Sequence, residues 1–166
     1  DKHPIYQRLK MFELDDYDQI FYLDSDAIVM NDIPNIFDLY GHHPISAIPD
    51  IPFEYLNSKY YSSVIKKVNT VLGAPDDYRS FTSGIMLMNR EFLDDAKDIW
   101  RKYLDTFEVK GAQDQGLLNK CVLDIGKGYN MLPGDWGALN LRRSAKYIIH
   151  VWGFHKDGFN LNILTS

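Results

Sequence analysis

Phe21-Tyr22-Leu23-Asp24-Ser25-Asp26-Ala27-Ile28-Val29 holds the pattern that decides how this chain is read. An apolar run passes directly into two acids one residue apart, then turns apolar again. Alternate residues of a strand share a face, so Asp24 and Asp26 can point the same way. Two converging carboxylates repel unless a cation sits between them. A hard divalent ion with oxygen ligands does this: Mg²⁺, Mn²⁺ or Ca²⁺. Asp and Ser are also ordinary turn residues, so the segment taken alone is equally a solvated turn. The chain has no G-x-x-x-x-G-K-[ST] loop and no G-x-G-x-x-G, so a bound phosphate would depend largely on a metal.

Outward from this segment, periodicity predicts strands alternating with helices. Pro4 opens a helix with Ile5, Leu9 and Phe12 on one face. Strands are expected at 19–23, 27–30, 45–48, 85–88, 129–132 and 147–152. Helices are expected at 33–40, ended by Gly41, at 60–72, stopped by Gly73 and Pro75, and at 113–123. The cleanest helix follows Asn89, a ready N-cap, with Phe92, Leu93, Ala96, Ile99, Trp100, Tyr103, Leu104 and Phe107 on one stripe. Such alternation indicates an α/β domain with a Rossmann-like, mainly parallel sheet flanked by helices. Ligands of these sheets bind beyond the carboxyl ends of the strands, where Asp24 and Asp26 stand.

A chain of 166 residues, 45% hydrophobic, is long enough for one packed domain spanning 1–166. The net charge of −5 argues against a nucleic-acid partner, which a basic face usually meets. No apolar run approaches the roughly 20 residues of a membrane span. The start, Asp1-Lys2-His3-Pro4, does not read as a signal peptide. The single cysteine, Cys121, excludes a disulfide framework and fits a buried helical thiol in a cytoplasmic protein. Aromatic residues make up 14% of the chain; part of these must be core, but aromatic faces also stack on sugars and bases.

Five blocks, in order, resemble glycosyltransferase family 8, the group that includes glycogenin and bacterial lipopolysaccharide galactosyltransferases. In the first, Arg8-Leu9-Lys10-Met11-Phe12-Glu13-Leu14 leads into Tyr17-Asp18-Gln19-Ile20-Phe21-Tyr22-Leu23-Asp24-Ser25-Asp26. Asn31-Asp32-Ile33 with Phe37-Asp38-Leu39 is similar to the segment after the family's D-x-D. Phe81-Thr82-Ser83-Gly84-Ile85-Met86-Leu87-Met88-Asn89 resembles its F-N-S-G-V strand. Asp114-Gln115-Gly116-Leu117-Leu118-Asn119 and His150-Val151-Trp152-Gly153-Phe154-His155-Lys156 resemble its D-Q-G block and its late H-F-x-G-x-x-K.

The resemblance implies a GT-A-type fold and a retaining, Mn²⁺-dependent hexosyltransferase acting on a UDP-sugar, UDP-glucose or UDP-galactose first. Mg²⁺ is the second choice of ion. It implies Asp24, Asp26 and His150 as metal ligands, a mixed set that suits Mn²⁺. Gly153 and Lys156 would meet the diphosphate, and Arg8 would reach the nucleotide-sugar. Asp114 and Gln115 would contact the donor sugar near the reacting carbon, with Thr82 and Ser83 beside them. Thr82 stands where the family has Asn, which exchanges a paired amide donor and acceptor for one hydroxyl. Each residue also has a plain structural reading. His150 can be a satisfied core histidine, Arg8 and Lys156 surface cations, and Asp114 an N-cap. Two routes to retention stay open: a carboxylate nucleophile with a covalent intermediate, or front-face displacement.

The resemblance further implies an unidentified sugar, lipid or protein acceptor, and a homodimer is among its expectations. By the same comparison, the family's N-terminal uridine-binding strand and helix are expected to be lacking from residues 1–166. Pro133-Gly134-Asp135-Trp136 offers no tyrosine for self-glucosylation. The competing classes are a degenerate, non-catalytic nucleotide-sugar or carbohydrate-binding domain, and a divalent-metal phosphohydrolase.

Overall fold

A computed structural model describes residues 4–30, 32–50, 59–106, 113–137 and 145–150. A 3-10 helix, Pro4–Glu13, comes first, followed by strands β1 (Gln19–Leu23) and β2 (Ala27–Val29). Helix α1 (Ile36–Tyr40), strand β3 (Ile45–Pro49), helix α2 (Lys59–Leu72) and strand β4 (Phe81–Asn89) come next. The chain continues through α3 (Arg90–Thr106), α4 (Gln113–Ile125), β5 (Asn130–Met131), a 3-10 turn at Gly134–Trp136 and β6 (Ile148–His150). The helix expected from Pro4 is present and is of the 3-10 type. Leu9 and Phe12 lie three apart, so a three-residue turn stacks both on the core, where neither is exposed.

The main sheet has the order β1-β4-β3-β5, and β2 pairs with β6 apart from it. Strands β1, β3 and β5 point one way, and β4 runs against both its neighbours. The sheet is therefore mixed, where a mainly parallel one was expected. The reason is where α2 returns the chain. Phe81 sits opposite Pro49, the end at which β3 finishes, so β4 has to run back. Alternation of strands and helices carries no information on that delivery point.

Strand β4 is the spine of the domain. Residues 81–88 are all buried, as a central strand covered on both faces should be. On one face Met86 and Met88 meet Leu9, Phe12, Phe92, Trp100, Leu117 and Cys121 from the 3-10 helix, α3 and α4. On the other, Ile85 and Leu87 meet Ile36, Ile48, Leu132, Trp136 and Ile148. Asn89 caps α3 as expected, its Oδ1 accepting from the Phe92 N–H at 3.1 Å.

Near its start the strand breaks step with β3. Between the pairs Phe81–Pro49 and Met86–Ala47, β3 advances two residues while β4 advances five. The surplus falls on Thr82, Ser83, Gly84 and Ile85. Bulges of this kind re-aim side chains and often border functional sites. The β1 ladder continues alongside, with Leu23 opposite Ile85 and the Asp24 N–H donating to the Gly84 carbonyl at 2.9 Å.

Candidate active site

Asp24 leaves the end of β1, Asp26 immediately precedes β2, and His150 ends β6 opposite Ala27. That ladder carries the imidazole across to the two acids. His150 Nε2 lies 3.1 Å from Asp26 Oδ1 and 3.4 Å from Asp24 Oδ2. One ligand atom from each of the three lies within 4.8 Å of the others. Two carboxylate oxygens and one imidazole nitrogen at that spacing suit a divalent ion of the Mn²⁺ class. Hydrogen bonds and charge from the two acids outweigh the burial of His150, whose pKa stands above the usual imidazole value.

Gly84 makes this convergence sterically possible. A Cβ there would lie 2.2 Å from His150 Cε1 and 2.9 Å from Asp24 Oδ2. Glycine inside a buried strand commonly marks such a close approach, and its place in the apolar run is the sequence signal for the gap.

A second charge cluster shares Asp24. Arg8 Nη1 lies 3.1 Å from Asp24 Oδ1 and Arg8 Nε 2.6 Å from Asp114 Oδ2. Arg8 Nη1 also donates to Ser83 Oγ at 3.1 Å, and the guanidinium sits 5.5 Å from the centre of the Tyr22 ring. Burial raises the Asp24 pKa, but the hydrogen bond from His150 and the charge of Arg8 reverse this, and the net value is below the usual one. Burial lifts Asp114 above its ordinary value, with Arg8 opposing. The Tyr22 hydroxyl donates to Asp24 Oδ1 at 2.9 Å, and burial with that bond pushes its pKa up to about 12. Tyr22 is a contact to the site that sequence reasoning missed.

Helix α4 supplies the next wall. Its first turn carries Asp114 and Gln115, and the Ser83 N–H donates to Gln115 Oε1 at 3.4 Å. Asn119 ties this turn to the start of β4. Its Nδ2 donates to the carbonyls of Gln115 (2.8 Å) and Phe81 (3.0 Å), while its Oδ1 accepts from Tyr78 Oη (2.9 Å) and the Phe81 N–H (3.0 Å). The asparagine closing the D-Q-G-L-L-N block is thus a staple between sheet and helix. The Thr82 hydroxyl faces the Gly84 N–H at 3.4 Å, so this buried side chain makes a contact within its own strand. Gly153 and Lys156 lie outside the described residues.

The model of the family described as "Glycosyl transferase family 8" matches residues 2–156. The chain belongs to glycosyltransferase family 8. No curated protein sequence matches it. Among solved structures, the family 8 chain is similar to the galactosyltransferase LgtC in complex with donor and acceptor sugar analogues. Identity is 20% over 92% of this chain and 61% of that one, with TM-score 0.56. An active-site mutant of LgtC matches at 18% identity over 97% and 64% of the two chains, TM-score 0.61. The apo bifunctional glycosyltransferase WbbM matches at 19% identity over 90% and 31%, TM-score 0.67. The chain therefore spans less than two thirds of each of these proteins. At such identities the likeness establishes the fold, which is of the GT-A type.

Proposed function

We propose that this protein is a retaining glycosyltransferase that moves a hexose from a UDP-sugar to a sugar, lipid or protein acceptor. The observation that carries the reading is the convergence of Asp24, Asp26 and His150 beside Arg8, Asp114 and Gln115 in a family 8 chain. A divalent ion held by Asp24, Asp26 and His150, Mn²⁺ before Mg²⁺, would supply charge neutralisation for the diphosphate and stabilise departing UDP.

The chain's own residues would do the positioning. Arg8 holds Asp24 and Asp114 apart by one guanidinium. Because the Asp114 carboxylate is engaged by Arg8, it is better suited to orienting the donor ring than to attacking it. The Gln115 amide is a poor nucleophile but gives directed hydrogen bonds to the ring's substituents. Ser83 and Thr82 sit at the same strand end. Lys156 and Gly153 take the diphosphate side of the proposal, the lysine as a charge and the glycine as a close backbone approach. The donor favoured is UDP-glucose or UDP-galactose, and the location favoured is cytoplasmic.

Asp26→Asn tests the metal part in the full-length protein. Calorimetry with Mn²⁺ present should show weakened UDP binding while circular dichroism stays unchanged; equal affinity in both proteins overturns this reading. Lys156→Ala should lower transfer by roughly 10²-fold, the scale for losing one preorganised charge-stabilising group. Its stability should stay within about 0.5 kcal/mol. Undiminished transfer would remove Lys156 from the site.

A further inference from the structure

Tyr22 stands on β1 just ahead of Asp24 and turns its hydroxyl onto that acid. Tyr22 Oη donates to Asp24 Oδ1 at 2.9 Å, and Arg8 Nη1 reaches the same oxygen at 3.1 Å. A carboxylate oxygen offers about two lone-pair directions, so the hydroxyl and the guanidinium together fill Oδ1. The other oxygen, Oδ2, faces the imidazole, 3.4 Å from His150 Nε2. The carboxylate is thus divided. The protein holds one oxygen, and the other is turned to the place where Asp26 and His150 meet. Arg8 is itself fixed in this arrangement, because Nη1 also donates to Ser83 Oγ at 3.1 Å and Nε pairs with Asp114 Oδ2 at 2.6 Å.

We propose that Tyr22 is a positioning residue that makes Asp24 a one-oxygen ligand and so sets the site's preference for a small octahedral ion over Ca²⁺. This rests on the reading above, in which Asp24, Asp26 and His150 hold a divalent ion. Ca²⁺ gathers roughly 6–8 oxygens and commonly takes both oxygens of one carboxylate. Mg²⁺ demands near-octahedral geometry, and Mn²⁺ shares that preference. With Oδ1 filled by the Tyr22 hydroxyl and Arg8, Asp24 has no second oxygen to give. Tyr22→Phe removes only the donor. The ring stays, packed against the core and 5.5 Å from the Arg8 guanidinium. Oδ1 then regains a free direction, and the carboxylate can turn to offer both oxygens to one ion.

The test reads a ratio of ion preferences and needs no transfer. UDP is titrated by calorimetry into the full-length protein in excess Mn²⁺, in excess Ca²⁺ and with neither ion. Ion binding to free UDP is the same for both proteins and cancels in the comparison. Wild type should bind UDP more tightly with Mn²⁺ than with Ca²⁺. In Tyr22→Phe that advantage should shrink roughly 10-fold, the scale on which groups that orient a metal ligand act, while the thermal midpoint holds. A wild-type protein with no preference for Mn²⁺, or an unchanged preference in Tyr22→Phe, overturns the proposal. Equal weakening with both ions and a lowered midpoint also overturns it, since the hydroxyl would then serve the fold and not the choice of ion. If wild type binds UDP no better with Mn²⁺ than with neither ion, the metal reading itself falls and takes the proposal with it.

Discussion

The two ends of β4 are built on opposite principles. At the Asn89 end, the strand is in step with β1 and β3, its side chains are apolar, and Asn89 turns the chain into α3 with an ordinary cap. At the Phe81 end, the ladder with β3 is broken, a glycine leaves a gap, and charged groups from four other elements converge. Stability is concentrated where the strand is regular. Charged side chains are concentrated where it is not, and α4, β6 and the 3-10 helix bring them together there.

The contrast predicts which substitutions act on which property. Phe92→Ala, on the regular side, should cost about 3–5 kcal/mol of stability, the usual range for emptying a buried phenylalanine site. Denaturant unfolding checks it, and a loss under about 1 kcal/mol would mean the apolar end is not where the fold is held. Gly84→Ala should act on binding. With a methyl group in the space of the His150 ring, Mn²⁺ affinity by titration should fall roughly 10- to 100-fold. Affinity equal to wild type would show that the ring does not need that gap. Asn89→Ala should remove about 1 kcal/mol through the lost cap and leave Mn²⁺ and UDP binding unaltered. Altered binding there would mean that the two ends are coupled.

The smallest effect is expected far from both ends. Burial opposes the ionised form of Asp124, but bonds from Lys120 at 2.6 Å and from the Tyr103 hydroxyl outweigh it and lower its pKa. A lowered acid contributes stability above its unfolded value of about 3.9. That contribution disappears as the pH falls through the folded value. Asp124→Asn should thus cost about a few tenths of a kcal/mol at pH 7 and nothing at pH 2, as a surface pair does. A cost that persists at pH 2 would assign the loss to packing instead of charge.

The regular end was legible in the sequence and the irregular end only in part. The run Gln19–Leu23 is a strand with the expected limits, and the stripe from Phe92 to Tyr103 is the core face of α3. Both follow from periodicity, which regular structure preserves. Asp24, Asp26 and His150 were singled out as ligand types, and they do come together. Strand β4, however, begins at Phe81, four residues before the expected start. Thr82, Ser83 and Gly84 are small or polar and interrupt the apolar run that announced it. The register break between β3 and β4 at this end belongs to two strands together, so no single segment announced it.

The separation of the site's members along the chain sets when the site can exist during folding. His150 and Asp26 are 124 residues apart, and Arg8 and Ser83 are 75 apart. Closing a flexible loop of the longer span costs roughly 4 kcal/mol in chain entropy. No local nucleus recovers that cost, so β6, whose Ile148 completes one hydrophobic face of β4, is predicted to dock against β2 late in folding. Binding of a divalent ion during refolding would then report the last event of assembly, arriving after helical signal and after the burial of Trp100.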